Sequence, residues 1–295
     1  VSTVPFVFRT PATLEEALAD LRAYGDDARP IAGGTALVIL MGQRLVQPTC
    51  LISLRRIAGL DRVAAADGAI EIGACATHRD VETAPLVRER LPALAETFAQ
   101  VATIRIRNMA TVGGALAHAD PNQDPLVTLL ALDARARVAG PRGERQIPLA
   151  EFFRGYYETA LAPGELVTGV SVPLPAPRMG VVYFKFLPRT ADDYATVSAA
   201  ASVTLDEAGE RCTDLRIALG CIGPTPLRIR EAEGLLRGQP LGEVLLREAG
   251  EIARRAADPL TDHRGSAAYK RDMAAVFTRR AVRAAWGRAR QIREA

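Results

Sequence analysis

Lysine is nearly absent from this chain. Of its 37 basic residues only Lys185 and Lys270 are lysine, so arginine is the default cation and each lysine invites a reason. Cysteine is scarce as well: Cys50, Cys75, Cys212 and Cys221 are scattered, and none forms a C-x-x-C. That excludes a disulfide framework and argues against an iron–sulfur or zinc centre carried by this chain. A reducing cytoplasm fits such usage, with peripheral attachment at the inner membrane face as a variant. No apolar run exceeds about seven residues, against the ~18 needed to span a bilayer. The opening VSTVPFVFRTPATLEEAL has no basic segment leading into an apolar one, so no signal peptide is expected. The net charge is only +3, and no basic stripe alternates with aromatics, so nucleic acid is not an expected partner. Two nucleotide signatures are missing too: there is no G-x-G-x-x-G and no Gly-Lys-[Ser/Thr].

What is present describes an ordinary globular protein: 295 residues, 48% hydrophobic and 24% charged, enough chain for about two domains. Thr13-Leu-Glu-Glu16 is a capping box ahead of a helical apolar pattern. Arg29–Ala32 and Cys50–Leu54 read as strands, and Thr35 is placed to cap a helix from Ala36 to about Arg44. Asp67-Gly68 between two alternating runs signals a type I′ hairpin. Thr77–Ala84 and Val87–Val101 read as helices, and a Gly-rich segment, Asn108–Asp124, leads into a helix ending near Leu132. A hairpin at Gly140–Gly143 and a strand at 165–174 follow. Pro173, Pro175 and Pro177 mark the best linker. Three strands then precede three helices (226–237, 241–257 and 266–290), the pattern of a small antiparallel sheet covered on one face by helices.

Two glycine pairs raise the question of a bound anion. Ala32-Gly33-Gly34-Thr35 stands between a short strand and an apolar helix. Glycine permits positive φ and close backbone approach, which converging N–H groups need in order to cradle a phosphate. The helix beyond would aim its N-terminus at the anion. Taken alone, the pair is as well read as a tight turn. The second pair, Gly113-Gly114, follows Thr111 and precedes His118, Asp120, Asn122, Gln123 and Asp124. Two such turns suffice to clamp the two phosphates of a dinucleotide from opposite sides. His118 also reads as a surface-loop histidine, and Asp124 as a cap for the next helix.

The stretches ARPIAGGTALVILMGQRLVQPTCLISL and IRNMATVGGALAHADPNQD together resemble the FAD-binding (medium) subunit of molybdenum hydroxylases, the xanthine dehydrogenase and aerobic carbon monoxide dehydrogenase family. LAPGELVTGVSVP, KFLPRTADDYATVSAAASV, GPTPLRIREAEGLLRG and DHRGSAAYKRDMAAVFTRRAV extend the resemblance over the whole chain. It implies an α+β fold of the vanillyl-alcohol-oxidase/p-cresol-methylhydroxylase type. An FAD-binding domain over 1–176, with subdomains of about 1–57 and 58–176, would precede a C-terminal α+β domain over 177–295. It implies non-covalent FAD held by Ile31, Ala32, Gly33, Gly34, Thr35, Ala36 and Leu37 in one turn. Ala110, Thr111, Val112, Gly113 and Gly114 would form the other. Ala102, His118, Asp124 and Val167 would lie near the cofactor, and Lys185 and Tyr194 would come from the C-terminal domain toward the isoalloxazine.

Lys185 sits on the opposite strand face from Phe184 and Phe186. It reads either as a solvated edge lysine or as a compact cation near a reducible ring. Tyr194 reads either as plain core or as an aromatic face over the flavin. Thr35-Ala36 and Ala115 depart from the family pattern, in which some members have His-Ser at the first position and many have Asn at the second. The resemblance further implies a large subunit with a molybdenum cofactor and a small subunit with two [2Fe-2S] clusters, in a dimer of heterotrimers. Electrons would leave to a quinone, NAD or O2, and no catalytic or metal-ligating residue is assigned to this chain. A stand-alone flavin oxidoreductase acting directly on an organic substrate is the alternative, and a scaffold without flavin is a third reading.

Overall fold

The computed structural model describes residues 5–187, 190 and 192–292. Pro188, Arg189 and Ala191 of the KFLPRTADDYATVSAAASV motif lie outside the described residues. The chain builds three main sheets in sequence order. In the first, β1 (Val7–Arg9), β2 (Ala28–Ile31) and β3 (Cys50–Ser53) run parallel in the order β1-β3-β2. Parallel neighbours need crossovers, and α1 (Leu14–Tyr24) and α2 (Leu37–Gly42) lie on those two connections. The Thr13–Glu16 capping box is formed as the sequence predicts.

The second sheet is antiparallel, in the order β4-β5-β10-β6-β7. Its members are β4 (Val63–Ala66), β5 (Ala69–Gly73), β6 (Arg135–Gly140), β7 (Gly143–Pro148) and β10 (Leu166–Pro173). Asp67 and Gly68 both take positive φ, 45° and 78°, as a type I′ turn requires. Between β5 and β6 comes a helical run: α3 (His78–Thr83), α4 (Pro85–Arg90), α5 (Pro92–Ala99), α6 (Ile104–Arg107), α7 (Val112–His118) and α8 (Asp124–Ala131). The expected single helix over 87–101 is thus two, broken at Leu91 (φ −135°, ψ 54°). Pro92 offers no N–H to continue the ladder and bars the α conformation from the residue before it. A short helix α9 (Leu149–Phe152) and a small hairpin, β8 (Phe153–Gly155) with β9 (Glu158–Thr159), intervene before β10. The sequence reading did not anticipate that hairpin.

The third sheet is antiparallel in the order β11-β12-β13-β14: Met179–Phe186, Val197–Leu205, Cys212–Gly220 and Leu227–Arg228. α10 (Arg230–Leu236), α11 (Glu243–Ala256) and α12 (Ala267–Gln291) complete the chain. One face of this sheet carries Val182, Ala199, Ala201, Val203 and Ile217 into a core shared with the last three helices. The other face is not solvated. Val181, Tyr183, Ala200 and Ala218 join the core built by α5, α8 and the second sheet. The sheet is therefore buried on both sides, which explains strands as apolar as VSAAASVTL.

No helix among the described residues is long and apolar enough to cross a membrane. The junction between the third sheet and α8 leaves no slack. A Cβ added at Gly220 would stand 2.5 Å from Ser198 Oγ and 2.6 Å from Val127 Cγ2. Gly220→Ala should cost about 1–3 kcal/mol by overpacking. Gly234→Ala, on α10 with nothing within 4 Å, should gain roughly 0.5–1 kcal/mol. Denaturant unfolding of the two variants checks the contrast.

Candidate functional site

The Ala32–Leu37 turn begins where β2 ends. Ile31 still pairs with Ser53 in β3, and its carbonyl accepts from the Leu54 amide at 2.9 Å. Gly34 takes φ +72°, a conformation that favours glycine. The helix beyond starts one residue later than expected. Its N-cap is Ala36, and no side chain caps it; Thr35 does not fill that role. Among the described residues, the amides of Ala32, Gly33, Gly34, Thr35, Ala36 and Leu37 donate to no group of the chain. Six consecutive partly buried donors without acceptors are rare in a folded protein. Such an array has the donor set that an anion site requires, next to the N-terminus of α2.

The second motif approaches this turn backbone to backbone. A Cβ on Gly33 would fall inside the Met109 carbonyl and crowd Ala110, so only glycine lets the two segments meet. Gly113 and Gly114, expected in a turn, lie instead in the first turn of α7, whose N-cap Thr111 accepts from the Gly114 amide at 3.2 Å. Val112 and Gly113 donate to the carbonyls of Ala76 and Ala74. The missing Cβ of Gly113 makes room for Ala74, not for a ligand, whereas Gly114 is exposed. Ala110 is buried and its carbonyl accepts from the His78 amide at 2.9 Å. Ala102 adopts φ +39°. Its carbonyl and that of Val101 both accept from Arg107 Nη1 at 2.9 Å, and Arg107 Nε is held by Glu82 at 2.9 Å. Sequence reasoning missed Glu82 and Arg107; the φ of Ala102, which they hold, is a strain worth maintaining only for a purpose.

His118 ends α7, half-buried, with its ring 5.1 Å from that of Tyr157 at the β8–β9 tip. Burial lowers its pKa, partly offset by Asp120. Tyr194 lies near the same group: burial and the Asp120 charge push its hydroxyl pKa up. Val167 is in β10 with its side chain in the core. The structure thus gathers His118, Asp120, Tyr157 and Tyr194 together, and Tyr157 is a member that sequence reasoning did not find.

Asp124 does not cap α8. It is the first helical residue, its carboxylate buried, and its partners come from β11: Tyr183 Oη donates to Oδ1 at 2.5 Å and Lys185 Nζ to Oδ2 at 2.8 Å. Lys185 also donates to the Gln100 carbonyl at 2.9 Å. Tyr183 and Lys185 share a strand face, while Phe184 and Phe186 pack on Phe277 of α12, the alternation that the sequence predicts. Lys185 is therefore neither a solvated edge residue nor a lone cation. Its charge is neutralised inside the protein, with both side chains only 4% exposed. Burial pushes Asp124 up, and Lys185 and Tyr183 draw it back. Burial and the carboxylate hold Tyr183 well above the usual phenol value, so it stays a donor.

Lys185→Met leaves a carboxylate without its counter-charge in the seam and should cost about 3–5 kcal/mol in unfolding free energy. Lys185→Met/Asp124→Asn should recover at least ~1 kcal/mol of that loss, because contacting sites are not additive. Denaturation of the single and double variants measures this coupling.

His78, beneath the second motif, is buried beside Phe98, and neither ring nitrogen meets a hydrogen-bond partner among the described residues. Burial lowers its pKa from 6.5 to about 4. As pH falls below 6.5 the unfolded chain takes a proton that the native chain refuses until about 4. Stability should therefore decline across that window, by up to about 3 kcal/mol. His78→Leu should flatten this acid limb in pH-resolved unfolding.

Comparison with known proteins places the chain. A family model described as the FAD binding domain in molybdopterin dehydrogenase matches residues 4–175, and one described as the CO dehydrogenase flavoprotein C-terminal domain matches 182–285. The chain is 37% identical over 282 residues to the 6-hydroxypseudooxynicotine dehydrogenase complex subunit alpha of Paenarthrobacter nicotinovorans, covering 96% of this chain and 95% of the relative. It is 36% identical over 285 residues to the carbon monoxide dehydrogenase medium chain of Afipia carboxidovorans, covering 97% and 98%. Among solved structures, a Cu,Mo-CO dehydrogenase chain superposes with a TM-score of 0.93 at 34% identity, covering 98% of this chain and all of that one. A chain of quinoline 2-oxidoreductase from Pseudomonas putida 86 does so at 0.89 and 34%, with the same coverage. With both halves of the chain matched and its α+β fold shared end to end, the protein belongs to the family of FAD-binding medium subunits of molybdenum hydroxylases.

Proposed function

We propose that this chain is the FAD-carrying electron-transfer subunit of a heterotrimeric molybdenum hydroxylase. In this reading residues 1–176 hold the cofactor, as subdomains of about 1–57 and 58–176, and 177–295 close over it. The observation that carries the reading is the run of six uncommitted amides at Ala32–Leu37, packed through Gly33 against the backbone that leads into α7. That arrangement fits a pyrophosphate, with the Thr111 hydroxyl and the exposed Gly114 on the second segment. Ala102, His118 and Tyr194 would flank the rest of the cofactor, and Asp124, Tyr183 and Lys185 would fix the closing half. Bound FAD supplies redox chemistry that can accept electrons singly and release them singly or in pairs. The chain's own contribution is to bind and orient it and to keep the buried seam at zero net charge.

Partner subunits are part of the proposal. A small [2Fe-2S] subunit would deliver electrons, a large subunit with the molybdenum cofactor would oxidise the substrate, and a quinone, NAD or O2 would take the electrons away. The relatives' names, a medium chain and a complex subunit, belong to assemblies of this kind. Exposed apolar side chains support the reading: Val38 and Ile39 on α2, just beyond the turn, and Phe6, Val7 and Phe8 at β1. Large apolar side chains left in water are the kind that a partner chain covers.

The direct test is titration of the flavin-free chain with FAD, followed by flavin absorbance, with release of free FAD on denaturation. Gly33→Ala should weaken FAD binding by about fivefold to a hundredfold, a loss of ~1–3 kcal/mol, because the added methyl wedges the two segments apart. Gly42→Ala, with nothing within 4 Å of its Cβ, should bind normally. A chain that takes up no FAD would defeat the proposal.

A further inference from the structure

The DHRGSAAYK segment, which leads from the α11–α12 loop into α12, has no role in the reading above, yet it is densely tied. Asp262 and Gly265 exchange backbone hydrogen bonds at 3.1 Å. Asp262 Oδ1 accepts from the Arg264 amide at 2.8 Å, and Thr261 Oγ1 accepts from the Ala267 amide at 2.9 Å. Lys270 reaches back from α12 and donates to the Leu260 carbonyl at 3.0 Å and to Asp262 Oδ2 at 2.7 Å. Its side chain is 5% exposed. Both lysines of the protein thus do the same work: each buried ammonium joins one carbonyl to one carboxylate. A slim stem with a compact tetrahedral charge suits that task, where a planar guanidinium needs more room.

What the anchored loop holds out is Arg264. Its Nη2 donates to Asp193 Oδ1 at 2.6 Å, its guanidinium lies 5.6 Å from the Tyr194 ring centroid, and its carbonyl accepts from Thr196 Oγ1 at 3.3 Å. Asp193 in turn accepts from the Tyr194 amide at 2.7 Å. Three contacts, to residues 193, 194 and 196, therefore run from one arginine to the segment that bears Tyr194. Tyr194 is itself 40% exposed, too open for core packing to fix its ring. Asp193, Tyr194, Thr196, His263 and Arg264 line a single cleft there.

We propose that Arg264 is a positioning residue that sets the Tyr194 ring, with the Lys270–Asp262 pair as its anchor. This rests on the reading that Tyr194 meets the flavin. One guanidinium lies over the ring and pairs with Asp193 at once, because its planar fork carries several donors where a lysine offers a single point charge. The tether crosses from the α11–α12 loop to the β11–β12 connection, so the order of the last helices is transmitted to the face of the cofactor.

The test uses the full FAD-loaded chain and reads flavin emission, which a stacked tyrosine quenches, alongside FAD affinity. Arg264→Ala should raise bound-flavin emission and increase the FAD dissociation constant about fivefold, the measure of one cation–π contact. Arg264→Lys keeps the charge for Asp193 but lacks the planar face, and should move emission in the same direction to a smaller extent. Asp262→Asn should do likewise by loosening the anchor. In a Tyr194→Ala background, Arg264→Ala should add nothing. Arg264 variants that retain FAD with unchanged emission would overturn this inference and leave the FAD reading standing. So would an Arg264→Ala effect that persists at full size without Tyr194. A parent chain that binds no FAD would instead fell the functional reading, and this one with it.

Discussion

A single buried carboxylate organises the middle of this molecule. Asp124 stands in the first turn of α8, where a negative charge is welcome to the helix dipole, but it is shut away from water. Its cost is met by Tyr183 and Lys185 from the third sheet. Neither partner belongs to the same half of the chain as Asp124, so docking the two halves both buries the carboxylate and supplies the groups that keep its charge tolerable there. Buried ion pairs add little net stability over apolar packing, and breaking them is expensive. Their value lies in fixing one docking geometry, and here that geometry carries a strand, a helix start and the Gln100 carbonyl into register.

The proposed cofactor site is assembled from backbone more than from side chains. The Ala32–Leu37 turn offers amides, and its closeness to the segment before α7 depends on an absent Cβ at Gly33. Backbone donors are fixed by the fold and lose little entropy when a ligand arrives, so they suit a permanently held group. Of the departures, Thr35-Ala36 falls among the residues with uncommitted amides, whereas the Ala115 backbone is taken up within α7 and by Gln123. The side chains that matter, Arg107, Glu82 and Arg264, hold other groups in place.

Much of the fold was legible. The Asp67-Gly68 turn, the Thr13 capping box and the alternation of Phe184, Lys185 and Phe186 all follow from local stereochemistry, and the structure contains them. The misses have local causes too. α7 was read as a turn because two glycines weaken a helix; the Thr111 cap and the Ala74 contact that rescue it lie partly outside the segment. The 87–101 helix was run through Pro92 against the residue's own chemistry. The Gly113 pair was identified as a phosphate turn, when its first glycine serves packing.

By itself the amino-acid sequence determined most helices, strands and turns, because turn residues and hydrophobic period are properties of neighbours along the chain, and the class of fold, the family and the type of cofactor followed from its resemblance to a known family. It also marked both lysines as unusual without saying why. Only the tertiary structure decided their partners, Asp124 and Asp262, and showed both charges neutralised inside the protein. It alone placed Gly33 on the Met109 carbonyl and Arg264 over Tyr194. These pairs join residues from about eight to about seventy-six positions apart, and across such gaps only the packing of helices and sheets brings groups within a few ångströms.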